Sequence, residues 1–456
     1  MGGTQYFPAT AGRRFKPYPE YKDSGIEWLG EIPDHWDTAL IRSFARRGYK
    51  TFTDGDWIES PFIREDGIRL IQTGNIGIGI YKEQGFRYID EKTFRKFRCT
   101  EVTPRDVLIC RLADPVGRAC MAPDMGARMI TSVDVCILKP ANGIDAAFVV
   151  YALSGEGYLS WMAGICRGGT RDRVSRSMLG SIRIQKPPYK EQRAITAFLD
   201  RETAKIDALI AKKERLIELL QEKRTALITQ AVTKGLDPTV PMKDSGIEML
   251  GQIPTHWEVT SLKRRAKRIQ TGTTPPTGET QYYEDGIMPW YGPGCFAEDL
   301  PLREPVRFIS ESALMDGVAR VFEAESALIV TIGATIGKVA FMEHPGSCNQ
   351  QITGVTFDFR HVLSRYGAYQ LKRLEPVLRG IAPNTTLPII DQEEVGSLPF
   401  IVPPAAEQEA IALFLDRETA RIDGLIAKIY EAIDRLREYR TALITAAVTG
   451  KICVLR

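Results

Sequence analysis

The chain is written twice. Residues 22–36 read KDSGIEWLGEIPDHW and residues 243–257 read KDSGIEMLGQIPTHW, at a constant offset of 221. A second block, PPYKEQRAITAFLDRETAKIDALIAK to RTALITQAVT (187–233), returns as PPAAEQEAIALFLDRETARIDGLIAK to RTALITAAVT (403–449) at an offset of 216. The segments between the blocks, about 38–179 and 259–395, look unlike each other. Two near-identical frames therefore carry two divergent inserts. The frames are expected to do one job twice, holding two copies of one partner, and the inserts to do related jobs on different targets. Duplication with neutral drift is the alternative, but drift would not spare the frames so selectively.

The second block reads as a long helix. Apolar residues recur at spacings of three and four: Ile195, Leu199, Ile206, Leu209, Leu216, Leu220, Leu227 in the first copy, and Ile411, Leu415, Ile422, Leu425, Ile429, Leu436, Leu443 in the second. This is a heptad stripe. Pro187-Pro188 and Pro403-Pro404 precede the helices, and Gly235 and Gly450 follow them, where helices start and stop. About 44 residues would span roughly 65 Å at 1.5 Å per residue. Such a stripe needs a partner, and the two helices are expected to pair with each other, most simply antiparallel.

The inserts read as strand-rich. IRLIQTGNIGIGIY (68–81), DVLICRL (106–112) and SALIVTIGATIGKVAFM (326–342) carry β-runs broken by glycine turns. The fold class expected is α+β: two strand-rich domains separated by two long helices forming an antiparallel coiled coil, with a pseudo-twofold internal repeat. The boundaries are an extension at 1–20, a first domain at 21–185, a helix at 186–236, a second domain at 237–401 and a second helix at 402–456.

Composition sets outer limits. With 456 residues, 44% hydrophobic and 26% charged, this is an ordinary globular chain large enough for two or three domains. No apolar run reaches membrane-spanning length and the opening MGGTQYFPATAGRRF has no signal-peptide core, so a cytoplasmic location is expected. The eight cysteines are scattered without a C-x-x-C pair, which argues against zinc or a disulfide framework. Net charge is only +3, yet basic residues cluster at Arg42–Lys50, Arg167–Arg176 and Lys263–Arg268. Such clusters serve either a solvated face or a phosphate-binding one.

The order insert, long helix, insert, long helix resembles the specificity subunit of type I restriction–modification enzymes. KDSGIEWLGEIPDHW before an insert, GATIGKVAF (333–341) within one, and PPxxEQxAIxxFLDRETAxID opening each helix carry the likeness from about Lys22 to Thr449. In the first insert RLADPVGRACM (111–121) takes the place of GATIGKVAF. The resemblance implies that each insert is a target-recognition domain reading half of a two-part site in double-stranded DNA. It implies that the paired helices set the unread gap. It further implies a non-catalytic subunit without cofactor or metal, bound to two adenine-methyltransferase subunits and to restriction (translocase–nuclease) subunits.

Catalytic readings fare poorly. GATIGKV lacks the four-residue spacing and the Ser/Thr of a phosphate loop. No helix pattern follows TGNIGIG (73–79). KPPY (186–189) puts Lys186 where an amino-methyltransferase needs Asn or Asp. His35 and His256 sit beside Trp36 and Trp257 at matched positions, which fits packing better than catalysis. The helix carboxylates Asp200, Glu202 and Asp207 recur with the frame and read as caps or ion pairs. Two rivals stay open: a coiled-coil adaptor that ignores DNA, and a methyltransferase or nuclease with an unrecognised site.

Reading DNA asks for Arg, Lys, Asn and Gln at base edges and small polar groups at phosphates. The first insert offers Gln72, Thr73, Asn75, Arg111, Arg118, Arg167, Arg171, Arg173 and Arg176. The second offers Tyr291, Thr331, Thr335, Lys338, Asn349, Gln350, Gln351, Asn384, Thr385 and Thr386.

Overall fold

The structure, a computed structural model, describes residues 15–112, 115–166, 172–381 and 388–455. It divides into two compact units, one of the residues up to Lys212 together with those from Glu431 onward, the other of Lys213–Tyr430.

In the first unit the first repeat block forms a hairpin, β1 (Tyr21–Asp23) and β2 (Glu31–Pro33). From β3 (Asp37–Leu40) the chain lays down β4 (Phe52–Asp54), β5 (Ile68–Ile71), β6 (Tyr88–Ile89), α1 (Glu91–Phe97), β7 (Val107–Cys110), β8 (Ala119–Met121), β9 (Met129–Thr131) and β10 (Val135–Leu138). Then α2 (Ala146–Ala152), α3 (Glu156–Cys166) and α4 (Arg176–Ser181) lead into β11 (Arg183–Lys186), which closes antiparallel on β3. Four strands make an antiparallel sheet in the order β4-β10-β7-β8, and three make a second sheet, β6-β5-β9, with β5 and β9 parallel. β7 and β10 are wholly buried, which explains their unbroken apolar runs.

α5 (Tyr189–Lys234) follows, and the frame repeats as β12 (Met242–Asp244), β13 (Gln252–Pro254) and β14 (Glu258–Ser261). The second insert contains β15 (Ala266–Thr271), β16 (Met288–Tyr291), β17 (Arg307–Ile309), α6 (Glu311–Met315), β18 (Val321–Phe322), β19 (Ser326–Val330), β20 (Val339–Met342), β21 (Gly346–Cys348) and β22 (Ile352–Phe357). It continues through α7 (Ser364–Arg373), α8 (Glu375–Ile381) and α9 (Gln392–Ser397) to β23 (Pro399–Val402), which closes on β14. Its sheets run β15-β22-β19-β20 and β17-β16-β21-β18, and β16 and β21 are again the parallel pair. Two inserts that look unlike in sequence thus share one topology. Close approaches mark the match: a Cβ on Gly55 would lie 2.4 Å from the Ser132 carbonyl, and one on Gly272 would lie 2.3 Å from the Cys348 carbonyl.

The frames are tied by the EQ dipeptide that opens each long helix. Glu191 accepts from the buried Trp36 Nε1 at 2.9 Å and lies 2.6 Å from His35 Nε2; Glu407 does the same with Trp257 at 2.9 Å and His256 at 2.7 Å. The matched histidines and tryptophans are therefore structural. Gln192 accepts from Asp145 N at the start of α2 and donates to the Pro187 carbonyl. Gln408 accepts from Leu363 N at the start of α7 and donates to the Pro403 carbonyl. One residue clasps the frame to the indole, and the next clasps it to the insert.

α5 carries no glycine or proline within Tyr189–Lys234, and α10 (Ala405–Val448) ends just before Gly450. Gly235 and Gly450 take left-handed φ values of 77° and 74°, which stop the helices at low cost. The helices pair antiparallel: in the first unit Asp207 meets Arg440 at 2.9 Å, and in the second Arg224 meets Asp423 at 2.7 Å. The expected stripe needs correction at three places. Leu209, Leu216 and Leu425 are exposed, and the buried seam runs one residue later, through Ile217 and Ile426, with Ile210 packed against the core. The true seam also admits Arg224, a charged residue that a purely apolar pattern skips. Among the described residues no helix is long and apolar enough to cross a membrane.

Candidate nucleic-acid interface

In the first unit a cleft of about 480 Å³ opens where the turns after β4, β5, β7 and β9 converge. Its wall includes Gln72 and Thr73, both half-buried, beside Gly74 and Asn75. Asn75 is buried and builds the turn: its amide donates to the Lys82 and Gln84 carbonyls at 2.9 and 2.8 Å, and its Oδ1 accepts from Gln72 N at 2.8 Å. Gln84 donates to the Gly74 carbonyl at 2.6 Å. Arg118, 8% exposed, lies under the same turn and donates to the carbonyls of Ile76, Pro115 and Thr73 at 2.7, 2.9 and 3.0 Å. Arg111, 4% exposed, donates to the Val174 and Val133 carbonyls and sits 3.0 Å from Asp54. These two guanidiniums brace the loops from inside. Arg173 and Arg176 are exposed, the first ion-paired to Asp134 of the cleft at 2.8 Å and the second 3.9 Å from Asp54. Arg167 and Arg171 lie outside the described residues.

Sequence reading missed Trp57, which is 69% exposed on the cleft wall. It also passed over Asp56, Gln84 and Asp134. Burial pushes the Asp56 carboxyl up from its ordinary range, against the Thr100 amide and Lys50, which pull it down. The only signal available for Trp57 was a bulky aromatic next to a tight glycine turn in GDW.

The second unit repeats the geometry with different side chains. Val330 N donates to the Lys338 carbonyl and Gly337 N to the Val330 carbonyl, as Cys110 N does to Arg118 and Gly117 N to Cys110. These bonds set Lys338 in register with Arg118, as the GATIGKVAF and RLADPVGRACM alignment requires. Lys338 is half-buried, 3.3 Å from Glu298, and Thr335 is exposed on the turn. Thr331, 1% exposed, bonds Thr353 and the Gln351 carbonyl and is structural. Asn349, Gln350 and Gln351 gather beside Tyr291: Asn349 N donates to the Tyr291 carbonyl, Asn349 Nδ2 to Gln351 Oε1 at 3.0 Å, and Gln350 accepts from Thr274. Gln350 is exposed, while Tyr291, Asn349 and Gln351 are half-buried. The structure thus groups Tyr291 with 349–351, while Lys338 pairs with Glu298. Asn384, Thr385 and Thr386 lie outside the described residues. Among the described residues no cluster of His, Cys, Asp and Glu could hold a metal ion.

Residues 254–435 match the family model described as type I restriction modification DNA specificity domain. The chain is 24% identical over 348 residues to the type I restriction enzyme MjaVIII specificity subunit of Methanocaldococcus jannaschii, covering 72% of this chain and 76% of that one. It is 17% identical over 450 residues to the StySPI specificity subunit of Salmonella potsdam, covering 93% and 90%. Over residues 254–435 the chain therefore carries a type I restriction modification DNA specificity domain. The fold agrees: a chain solved in a study of the complex assembly and conformational transition of the type I R-M system superposes with a TM-score of 0.68 at 16% identity, over 92% of this chain and 99% of that one. The family match falls on the second insert and its frame, and the shared topology makes the first insert its counterpart.

Proposed function

We propose that the chain is the DNA-recognition subunit of a type I restriction–modification complex, a binding protein and not an enzyme, in which each insert reads one half of a two-part site. The observation that carries this reading is the pair of topologically matched loop clusters with unmatched side chains. One scaffold presents Gln72, Thr73, Gln84 and Trp57 in the first unit, and Tyr291, Asn349, Gln350 and Gln351 in the second. Amide side chains at such turns suit bidentate contact with adenine, exposed arginines such as Arg173 suit guanine or phosphate, and an exposed indole suits stacking or a methyl contact. Arg111, Arg118, Asn75 and Thr331 hold the loops in shape. The domains are the inserts with their frames, 21–185 and 237–401, followed by the helices at 186–236 and 402–456. The duplicated frame supports two equivalent methyltransferase sites, with restriction subunits joining the complex.

The test is to map methylated adenines in cells carrying the methyltransferase with the wild-type chain, with Trp57→Ala or with Gln351→Ala. The wild type should yield a two-part motif. Trp57→Ala should relax or weaken one half only, and Gln351→Ala the other only, each by about 1–3 kcal/mol of discrimination. A motif unaltered by loss of the whole chain would refute the reading and favour the adaptor.

A further inference from the structure

The second unit contains a basic pocket of about 120 Å³, walled by α5 from Gln221 to Ile228, by Glu298, and by the junction of α7 and α8. Three of its cations are buried: Arg224, Lys372 and Arg373. Two of them are matched. Arg224 Nη2 lies 2.7 Å from Asp423, and Lys372 Nζ bonds Glu375 at 2.8 Å and the Val339 carbonyl at 3.2 Å. The remaining carboxylate, Glu298, is drawn to Lys338 at 3.3 Å. Arg373 is different. It is 8% exposed, no carboxylate pairs with it among the described residues, and its Nε and Nη2 are buried without a hydrogen-bond partner. Burial pushes its pKa down to about 10, so it stays charged at neutral pH. A buried charge normally keeps a partner, and buried N–H groups normally keep an acceptor.

The frame does not require this arginine. Gln192 and Gln408 clasp the starts of α2 and α7 in the same way. Tyr151 and Tyr369 then donate to the matched helix residues Asp200 and Asp416. Four residues beyond each tyrosine stand Gly155 in the first unit and Arg373 in the second. One copy therefore closes with glycine where the other inserts an unpaired guanidinium.

We propose that Arg373, flanked by Arg224 and Lys372, is an oxyanion site that takes a phosphate group, carried either by a free phosphate compound or by the backbone of DNA. A planar guanidinium with unmet N–H groups matches two oxygens of a tetrahedral anion, and with Arg379 the lining holds four cations against the carboxylates Glu298 and Glu375.

The experiment is thermal unfolding of the full chain in inorganic phosphate, with chloride holding ionic strength constant. The wild type should gain about 3–5 °C for each tenfold excess of phosphate over its dissociation constant. Arg373→Met and Arg373→Gly, the latter copying the other unit, should lose that gain. No gain in the wild type overturns the proposal, because water then satisfies the arginine. A gain that survives in both variants overturns it too. Should neither variant fold, hydrogen exchange on the wild type decides: phosphate must slow the amides of 372–376, and no local protection there refutes the site. The source is read separately from nonspecific duplex binding against salt. A slope reduced by about one in Arg373→Met assigns a DNA phosphate, and an unchanged slope assigns a free phosphate compound. None of these readouts depends on half-site recognition, so this site can fail while the recognition reading stands.

Discussion

Glu191 and Glu407 occupy the same place in the repeat, yet their removal should cost different amounts. Glu191 is buried and accepts from Trp36 Nε1 at 2.9 Å and from Tyr18 OH at 3.1 Å, with His35 at 2.6 Å. Trp36 and Tyr18 are themselves buried. Among the described residues Glu407 bonds Trp257 and an exposed His256, Thr239 stands where the first copy has Tyr18, and the Glu407 side chain is 40% exposed. Glu191→Ala leaves two buried donors unsatisfied at about 1–3 kcal/mol each, or about 2–6 kcal/mol in total. Glu407→Ala leaves one partly buried donor that water can reach, for about 1–2 kcal/mol. The assay is urea unfolding of both variants, with hydrogen exchange assigning the loss to the unit that carries the change. Glu191→Ala should be weaker by about 2 kcal/mol, with its loosening in the first unit. Equal losses, or a larger loss for Glu407→Ala, would refute the claim that Tyr18 and the deeper burial make the difference.

Two further outcomes bear on the recognition loops. Arg118→Met should destabilise the first unit by about 2–3 kcal/mol, since the Ile76, Pro115 and Thr73 carbonyls lose a charged donor. Lys338→Met, at the matched position but half-exposed, should cost less than about 1 kcal/mol in the same denaturation assay. Asp56 has a raised carboxyl pKa in the folded chain, so its contribution to stability is present in acid and is lost as pH rises through that value. Asp56→Asn should therefore unfold at higher temperature than wild type near neutral pH, with the difference closing toward acid; a constant offset across pH would show that the carboxyl does not titrate there.

What the sequence disclosed follows the physics of each part. The frame was legible because it uses identity-bound contacts: an indole needs its carboxylate, and a clasping amide needs its helix start. The long helices were legible from spacing, although the stripe falls one residue later than expected at Leu209, Leu216 and Leu425, because each is followed by an isoleucine and either neighbour satisfies an apolar pattern. The common topology of the inserts was hidden because backbone ladders accept many side chains. Only close approaches such as Gly55 and Gly272, or positive φ at Gly117 and Gly337, leave a trace in both copies. In the interface, Arg111 and Arg118 read as DNA contacts because an arginine that grips carbonyls and one that grips DNA are the same letter. Trp57 was missed because its exposure is a property of folded loops.

The pairing of β3 with β11, and of β14 with β23, brings the entry and exit of each insert side by side on one short ladder. The chain between those strands leaves and returns at one place, where a glutamine and a tyrosine–aspartate bond fasten it to the long helix. An insert can therefore be exchanged whole by recombination within the duplicated frames, provided that the newcomer keeps the few apolar side chains that pack on the frame tryptophan and the helices.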